Sequence, residues 1–152
     1  MNMIPDPIRR FLKAEKFATI SCIDEYGAPY CFNCMYVFDA KNSLLFFKSS
    51  TTSRHSALID TDPRVAGTIL PVKPDLLALK GIQFTGRVLD ANDTLCRNAV
   101  MKYHMAFPLA VSMSGKVFVV EVNEIKLTDN SIGFGKKVNW NKNVVSVTES
   151  VM

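Results

Sequence analysis

A chain of 152 residues has the material for one domain with a substantial core, and not for two. Its 48% hydrophobic and 21% charged residues fit a globular protein, and the net charge of +4 is spread along the sequence, which weighs against a polyanion-binding block and a nucleic-acid partner. No apolar run reaches the roughly 18–20 residues that span a bilayer, and the opening MNMIPDPIRRFLKAEKF has no apolar signal core, so a cytoplasmic location without membrane contact is expected.

Asp6 followed by Pro7 reads as an N-cap and an N1 proline, and Ile8, Phe11 and Leu12 share a face, which predicts a short amphipathic helix. FATISCID (17–24) and PYCFNCMYVFD (29–39) are rich in β-branched and aromatic residues and flank the turn-like EYGA around Gly27. They predict a β-hairpin. SLLFFKS adds a third antiparallel strand, and SRHSALI a short helix.

RVAGTIL (64–70) and GIQFTGRVLD (81–90) are the next strands, joined through the proline-bearing PVKPDLLALK. Asn92, Asp93 and Thr94 offer N-caps for a helix over LCRNAVMKYHMAF, where Leu95, Ala99 and Tyr103 recur at four-residue spacing and Pro108 is the stop. KVFVVEVNEIKL (116–127) is the longest strand, apolar enough to be covered on much of both faces. About six short strands, several connected directly, argue for a single mainly β (α+β) domain over 1–152. A parallel sheet would demand a crossover after every strand, so a closed or half-closed antiparallel barrel with short flanking helices is the better solution.

The densest chemistry lies in LLFFKSSTTSRHSALIDTDPRVAG (44–67), where an apolar strand ends in a polar run that leads into a helix. Ser49 to Ser53 supply hydroxyls and caps, and Lys48, Arg54 and His55 supply donors, at a helix start whose free N–H groups favour an anion. Two readings fit: a phosphate cradle, or a solvated turn capped by Ser and Thr as many are. Cys31 and Cys34 have C-x-x-C spacing, but positions three apart in a strand face opposite ways, so structural thiols are expected and not a metal or redox pair. All four cysteines are expected to be reduced thiols.

His104 falls late in its helix, where it suits the C-terminal dipole. His55, inside the Ser/Thr/Arg cluster, is the better ligand contact. In EIKLTDNSIGFGKKVNW (124–140), Lys136 and Lys137 could meet an anion and Trp140 could stack on a planar ring; equally, this is a tail that packs down through Phe134 and Trp140.

From FATISCIDEYGAPYCFNCMYVFDAKNSLLFFKSSTTSRHSALIDTDPRVAGTIL and KGIQFTGRV the chain resembles the pyridoxamine 5′-phosphate oxidase-like FMN-binding split-barrel superfamily, through its S-R-H-x-x-x-I-x-x-x-P-R-V arrangement. IKLTDNSIGFGKKVNW is similar to the ending of the small bacterial YhbP-like group. The resemblance implies a six-stranded antiparallel split barrel and a homodimer with two FMN molecules at the subunit seam. It places phosphate contacts at Lys48, Ser49, Ser53, Arg54 and His55. It lays the flavin ring along Asn33, Cys34, Met35 and Tyr36, and has the partner subunit offer residues near Gly81, Ile82 and Gln83.

Two departures stand out: His55 where the oxidases carry lysine, and Phe32 where they carry arginine. The oxidase C-terminus is replaced by GFGKKVNW, so vitamin B6 oxidation is not carried over. The expected protein is an FMN-binding, flavin-dependent oxidoreductase on an unidentified small molecule; the alternative is a non-catalytic flavin or haem binding or sensing module. No catalytic acid or base is assigned.

Overall fold

Strand alternation builds the barrel. In β1 (Phe17–Ile23) Ala18, Ile20 and Cys22 are buried while Phe17 and Thr19 are exposed, and β4 (Arg64–Ile69) buries every second residue in the same way. The computed structural model describes residues 2–131, 133, 135–144 and 148–151. β1, β2 (Pro29–Asp39) and β3 (Leu44–Ser49) form an antiparallel meander, and β1 also pairs with β4, β4 with β5 (Lys80–Val88), and β5 with β6 (Lys116–Asp129). Pairing of β3 with β6, from Leu44 opposite Glu121 to Ser49 opposite Lys116, closes these six strands into a barrel. Closure leaves none of the six as an open edge.

Ile20, Phe47, Phe84, Val120 and Leu127 fill the interior. The first four residues of β3 are all buried, because Leu45 and Phe47 face the interior while Leu44 and Phe46 face a second apolar cluster beneath α3 (Ala99–Ala106). β6 is covered on both faces for the same reason, with Phe118, Val120 and Val122 inside and Val119 under α3. α1 (Asp6–Ala14) inserts Ile8, Phe11 and Leu12 into the main core, and α2 (Arg54–Thr61) follows β3.

Three sequence expectations need correction. Asp6 does not cap α1: Pro5 holds that position without a side-chain bond, and Asp6 lies in the first turn, paired with Arg9. The helix expected from Leu95 divides. Asp93 caps only a 3-10 turn over Thr94–Cys96, α3 begins at Ala99, and Leu95 is exposed, so only Ala99 and Tyr103 face the core. The strand expected over 64–70 ends at Ile69, with Leu70 exposed.

The stretch after β6 is no loose tail. β6 continues to Asp129, and β7 (Lys136–Asn141) returns antiparallel along it, with Ile125 opposite Trp140 and Leu127 opposite Val138; β8 (Thr148–Val151) pairs with β7 in turn. Trp140 thereby packs into the main core, while Phe134 lies outside the described residues. Cys31 is exposed and Cys34 packs against the core, opposite faces of β2 as the strand period requires, and all four cysteines are free thiols. Among the described residues no helix is long and apolar enough to cross a membrane.

Candidate functional site

The polar run after β3 folds into a self-bonded knot at the start of α2. Ser53 is the N-cap: its Oγ accepts from the Ser56 N–H, and its hydroxyl donates to the Ser50 carbonyl at 2.8 Å. The Ser56 hydroxyl donates to the same carbonyl at 2.7 Å and is itself buried. His55 turns back so that Nε2 lies 2.5 Å from Ser49 Oγ and 3.2 Å from Ser53 Oγ. Within the first turn, the Ser53 N–H goes to the Ser50 carbonyl and the Ser56 N–H to the cap, which leaves the N–H groups of Arg54 and His55 as those with no intrahelical acceptor.

The imidazole of His55 lies against Phe32 of β2, ring centroids 3.8 Å apart and planes within 6°, and Phe32 in turn contacts Phe47 at 5.5 Å. Burial against these rings pulls the His55 pKa below its ordinary value, which favours the neutral ring. Arg54 points the other way. Its guanidinium lies 4.7 Å from the centroid of the Tyr30 ring and 3.1 Å from Glu25 Oε1, with Asp24 Oδ2 at 4.0 Å, so the β1–β2 turn supplies two carboxylates to one cation.

Ser49, Ser53 and His55 therefore converge at one end of the barrel, while Arg54 leaves the same helix start toward the β1–β2 turn. Lys48 does not join them. It leaves β3 on the face opposite Ser49, and its Nζ donates to the Ala110 carbonyl at 2.7 Å and to His104 Nε2 at 3.0 Å.

Along β2 the expected ring-contacting stretch splits by parity. Asn33 and Met35 are exposed, with Asn33 Oδ1 accepting from Thr19 Oγ1 at 2.8 Å. Cys34 and Tyr36 turn inward: burial pushes the Cys34 thiol up to about 12, and the Tyr36 hydroxyl donates to the Leu12 carbonyl at 2.7 Å. Only backbone atoms of Cys34 and Tyr36 can meet a ligand on the outer face. On β5, Gln83 is exposed and Ile82 buried, while a Cβ added to Gly81 would stand 3.0 Å from Leu70.

Gln83 borders a groove of about 670 Å³ on the outer face of the sheet, with Thr19, Ser21, Thr68, Asn139 and Trp140. Lys137, on β7 opposite Thr128, is half-buried. The Trp140 indole is only 3% exposed and its Nε1–H has no partner among the described residues, so its flat face is not offered to a planar ligand. No cluster of three His, Cys, Asp or Glu side chains fit to hold a metal occurs among the described residues.

No protein-family model matches the chain. A UPF0306 protein of Photorhabdus laumondii is 33% identical over 135 residues, spanning 89% of this chain and 94% of its own. A UPF0306 protein of Yersinia pestis is 33% identical over 135 residues, spanning 91% of its own length. Among solved structures, a pyridoxamine 5′-phosphate oxidase-related FMN-binding protein of Nostoc punctiforme superposes with a TM-score of 0.71 at 9% identity, over 99% of this chain and 97% of that one. A haem-binding protein of Mycobacterium smegmatis gives 0.72 at 16%, over 91% of this chain but 59% of that longer one, and a haem storage protein of Vibrio cholerae gives 0.61 at 17%, over 81% and 92%. At these identities the structures share the split-barrel fold.

Proposed function

For a chain that belongs to the UPF0306 family, on a split barrel shared with flavin- and haem-binding proteins, we propose FMN binding at a homodimer seam and flavin-dependent oxidoreduction of a small molecule. The observation that carries this reading is the convergence of Ser49, Ser53 and His55 on the start of α2, with Arg54 in the first turn of the same helix. A hydroxyl, two N–H groups without intrahelical acceptors and a guanidinium within reach fit a phosphate monoester. Bound FMN would supply two-electron chemistry.

This chain's residues hold and orient the cofactor. With a proton on Nε2, His55 donates to Ser49 Oγ and leaves the single Ser49 hydroxyl proton for the phosphate, while the Ser53 hydroxyl stays on the Ser50 carbonyl and holds the helix start in place. Arg54 reaches it by leaving Glu25, an exchange between two exposed ion pairs that costs little. Asn33 and Met35 present the outer face of β2 to the ring, and Gln83 belongs to the partner's contribution. Exposed Phe17, Met35, Leu76 and Leu77 are the apolar surface that a second copy would cover.

The stacked Phe32–His55 pair favours a second reading, a non-catalytic flavin or haem module, because it stands where two cations would grip the phosphate. The visible spectrum of the purified protein separates the cases: flavin bands, or a Soret band. Arg54→Ala should weaken FMN by roughly tenfold or more, as a charge-assisted contact is lost. An unchanged flavin titration would remove Arg54 from the site, and steady-state NAD(P)H turnover with bound FMN distinguishes enzyme from module.

A further inference from the structure

The cradle at the start of α2 is short of positive charge. Lys48 turns to the other face of β3, where its Nζ donates to His104 Nε2 and to the Ala110 carbonyl, and Arg54 is held by Glu25 and Asp24 of the β1–β2 turn. Burial against Phe32 favours the neutral imidazole at His55. A phosphate monoester is close to a dianion at neutral pH, and it calls for a cation that nothing else holds.

The pairing of β3 with β6 supplies one. Ser49 stands opposite Lys116 and Phe47 opposite Phe118, so these four side chains share a face, while Lys48 and Val117 share the other. Gly115 makes the approach close: its φ is +140°, and a Cβ there would stand 2.8 Å from the Ser49 carbonyl oxygen. The entry to β6 is thereby pressed against the residue whose hydroxyl meets His55.

Beneath the cradle, Phe32, Phe47 and Phe118 form a continuous run of rings, with centroids 5.5 and 5.1 Å apart. His55 stacks on Phe32 at one end of the run, and the Lys116 ammonium lies 5.0 Å from the Phe118 centroid at the other. Ser49 continues the same face of β3 beyond Phe47, the middle ring. Lys116 is exposed and makes no hydrogen bond or ion pair with any described residue. Its ring contact is weak at an exposed site, and the flexible four-carbon stem lets the ammonium swing from Phe118 toward Ser49.

We propose that Lys116 is the resident cation of the phosphate cradle, closing over the FMN phosphate from β6 opposite the start of α2. Resting on the FMN reading, it adds to the cradle a residue from a third element, far in sequence from the 48–55 run. A phosphate seated on the Ser49 hydroxyl and the free N–H groups of Arg54 and His55 turns its remaining oxygens to an ammonium for which no carboxylate competes. Arg54 joins only by leaving Glu25. Lys116 therefore distinguishes a phosphorylated flavin from its unphosphorylated counterpart.

The test titrates the whole protein with FMN and with riboflavin, followed by flavin fluorescence in low salt. Wild type should prefer FMN, Lys116→Gln should lower that preference about tenfold through FMN alone, and Lys116→Arg should keep most of it. Lys116 is exposed, so its replacement spares the core. Lys41→Gln removes the same charge from the exposed β2–β3 turn, at the far end of β3, and should leave the preference unchanged. If wild type binds riboflavin as well as FMN, or binds neither, the cradle is not a phosphate site and Lys116 has no such role. If wild type prefers FMN and Lys116→Gln keeps the full preference, or Lys41→Gln loses as much, Lys116 is not the cradle's cation while FMN binding there stands.

Discussion

Phe32 and His55 lie face to face, with ring centroids 3.8 Å apart and planes 6° from parallel. They are the two barrel positions at which the resemblance to the oxidases implies a cation that this chain lacks, and they form one contact. An arginine beside an aromatic ring, or a lysine beside a phenyl ring, would leave a charge half-buried at the barrel end with no anion present. Exchanging both for a neutral stacked pair removes that cost and adds roughly 0.5–1.5 kcal/mol of ring contact.

That contact makes stability depend on pH. The His55 pKa is lowered in the folded protein by burial, while the unfolded chain titrates near the ordinary value of about 6.5. Between those two values the unfolded state holds more protons, so stability from this group is fully present above about 6.5 and is lost as pH falls through the folded value. Urea midpoints measured from pH 7.5 down to 5 should fall over that window, and His55→Gln should remove this part of the slope. A His55→Gln profile that runs parallel to wild type would show that the histidine is not the titrating group.

The Arg54–Glu25 pair predicts a gain of affinity. Arg54 is shared between Glu25 at 3.1 Å and Asp24 at 4.0 Å, and with His55 neutral this corner has one formal cation facing two carboxylates. A phosphate must displace Glu25 to reach the guanidinium. Glu25→Gln should therefore tighten FMN by a few-fold, up to about tenfold, in low salt, with the gain fading at high ionic strength. Riboflavin, which lacks the phosphate, should be unaffected in a parallel fluorescence titration. Equal changes for both flavins would place the effect in the ring contacts instead.

Much of this was legible in the residues. Period-two alternation was strong enough in 17–24, 29–39 and 116–127 to place the strands, and the SRHSALI helix begins where its Ser53 cap indicates. Grouping Lys48 with Ser49 neglected the same period, which turns adjacent strand residues to opposite faces. The β7 hairpin had a signal too, since Val138 and Trp140 alternate with Lys137, Asn139 and Asn141, but the glycines and paired lysines before it fit a packed tail equally well. The Phe32–His55 stack had none. The two residues are 23 positions apart, and only the barrel's closure and the direction of α2 bring them together.

Tyr36 links the first helix to the barrel wall. Its hydroxyl is buried and donates to the Leu12 carbonyl, one of the last four of α1 and so without an intrahelical donor. Tyr36→Phe keeps the ring and leaves that carbonyl unpaired, at an expected cost of about 1–2 kcal/mol in urea unfolding. A cost near zero would mean that water reaches Leu12 when the hydroxyl is removed.

Gly86 should be the least replaceable glycine of the barrel. The β5–β6 register shifts there, Thr85 facing Glu124 while Gly86 faces Val122, so that Asn123 bulges from the ladder. This brings the β6 backbone so close that a Cβ on Gly86 would stand 2.4 Å from the Glu121 carbonyl oxygen and 3.0 Å from Val120 Cγ1. Neither neighbour can retreat: Glu121 pairs across to Leu44 at the barrel closure, and Val120 is wholly buried. Relief would require β5 and β6 to separate, so Gly86→Ala should cost about 3 kcal/mol. Gly27 is a control of the opposite kind, with open space around it but a φ of +79°, so Gly27→Ala strains only one turn and should cost about 1 kcal/mol. Paired urea midpoints that rank Gly27→Ala as the more damaging change would contradict a rigid bulge at Gly86.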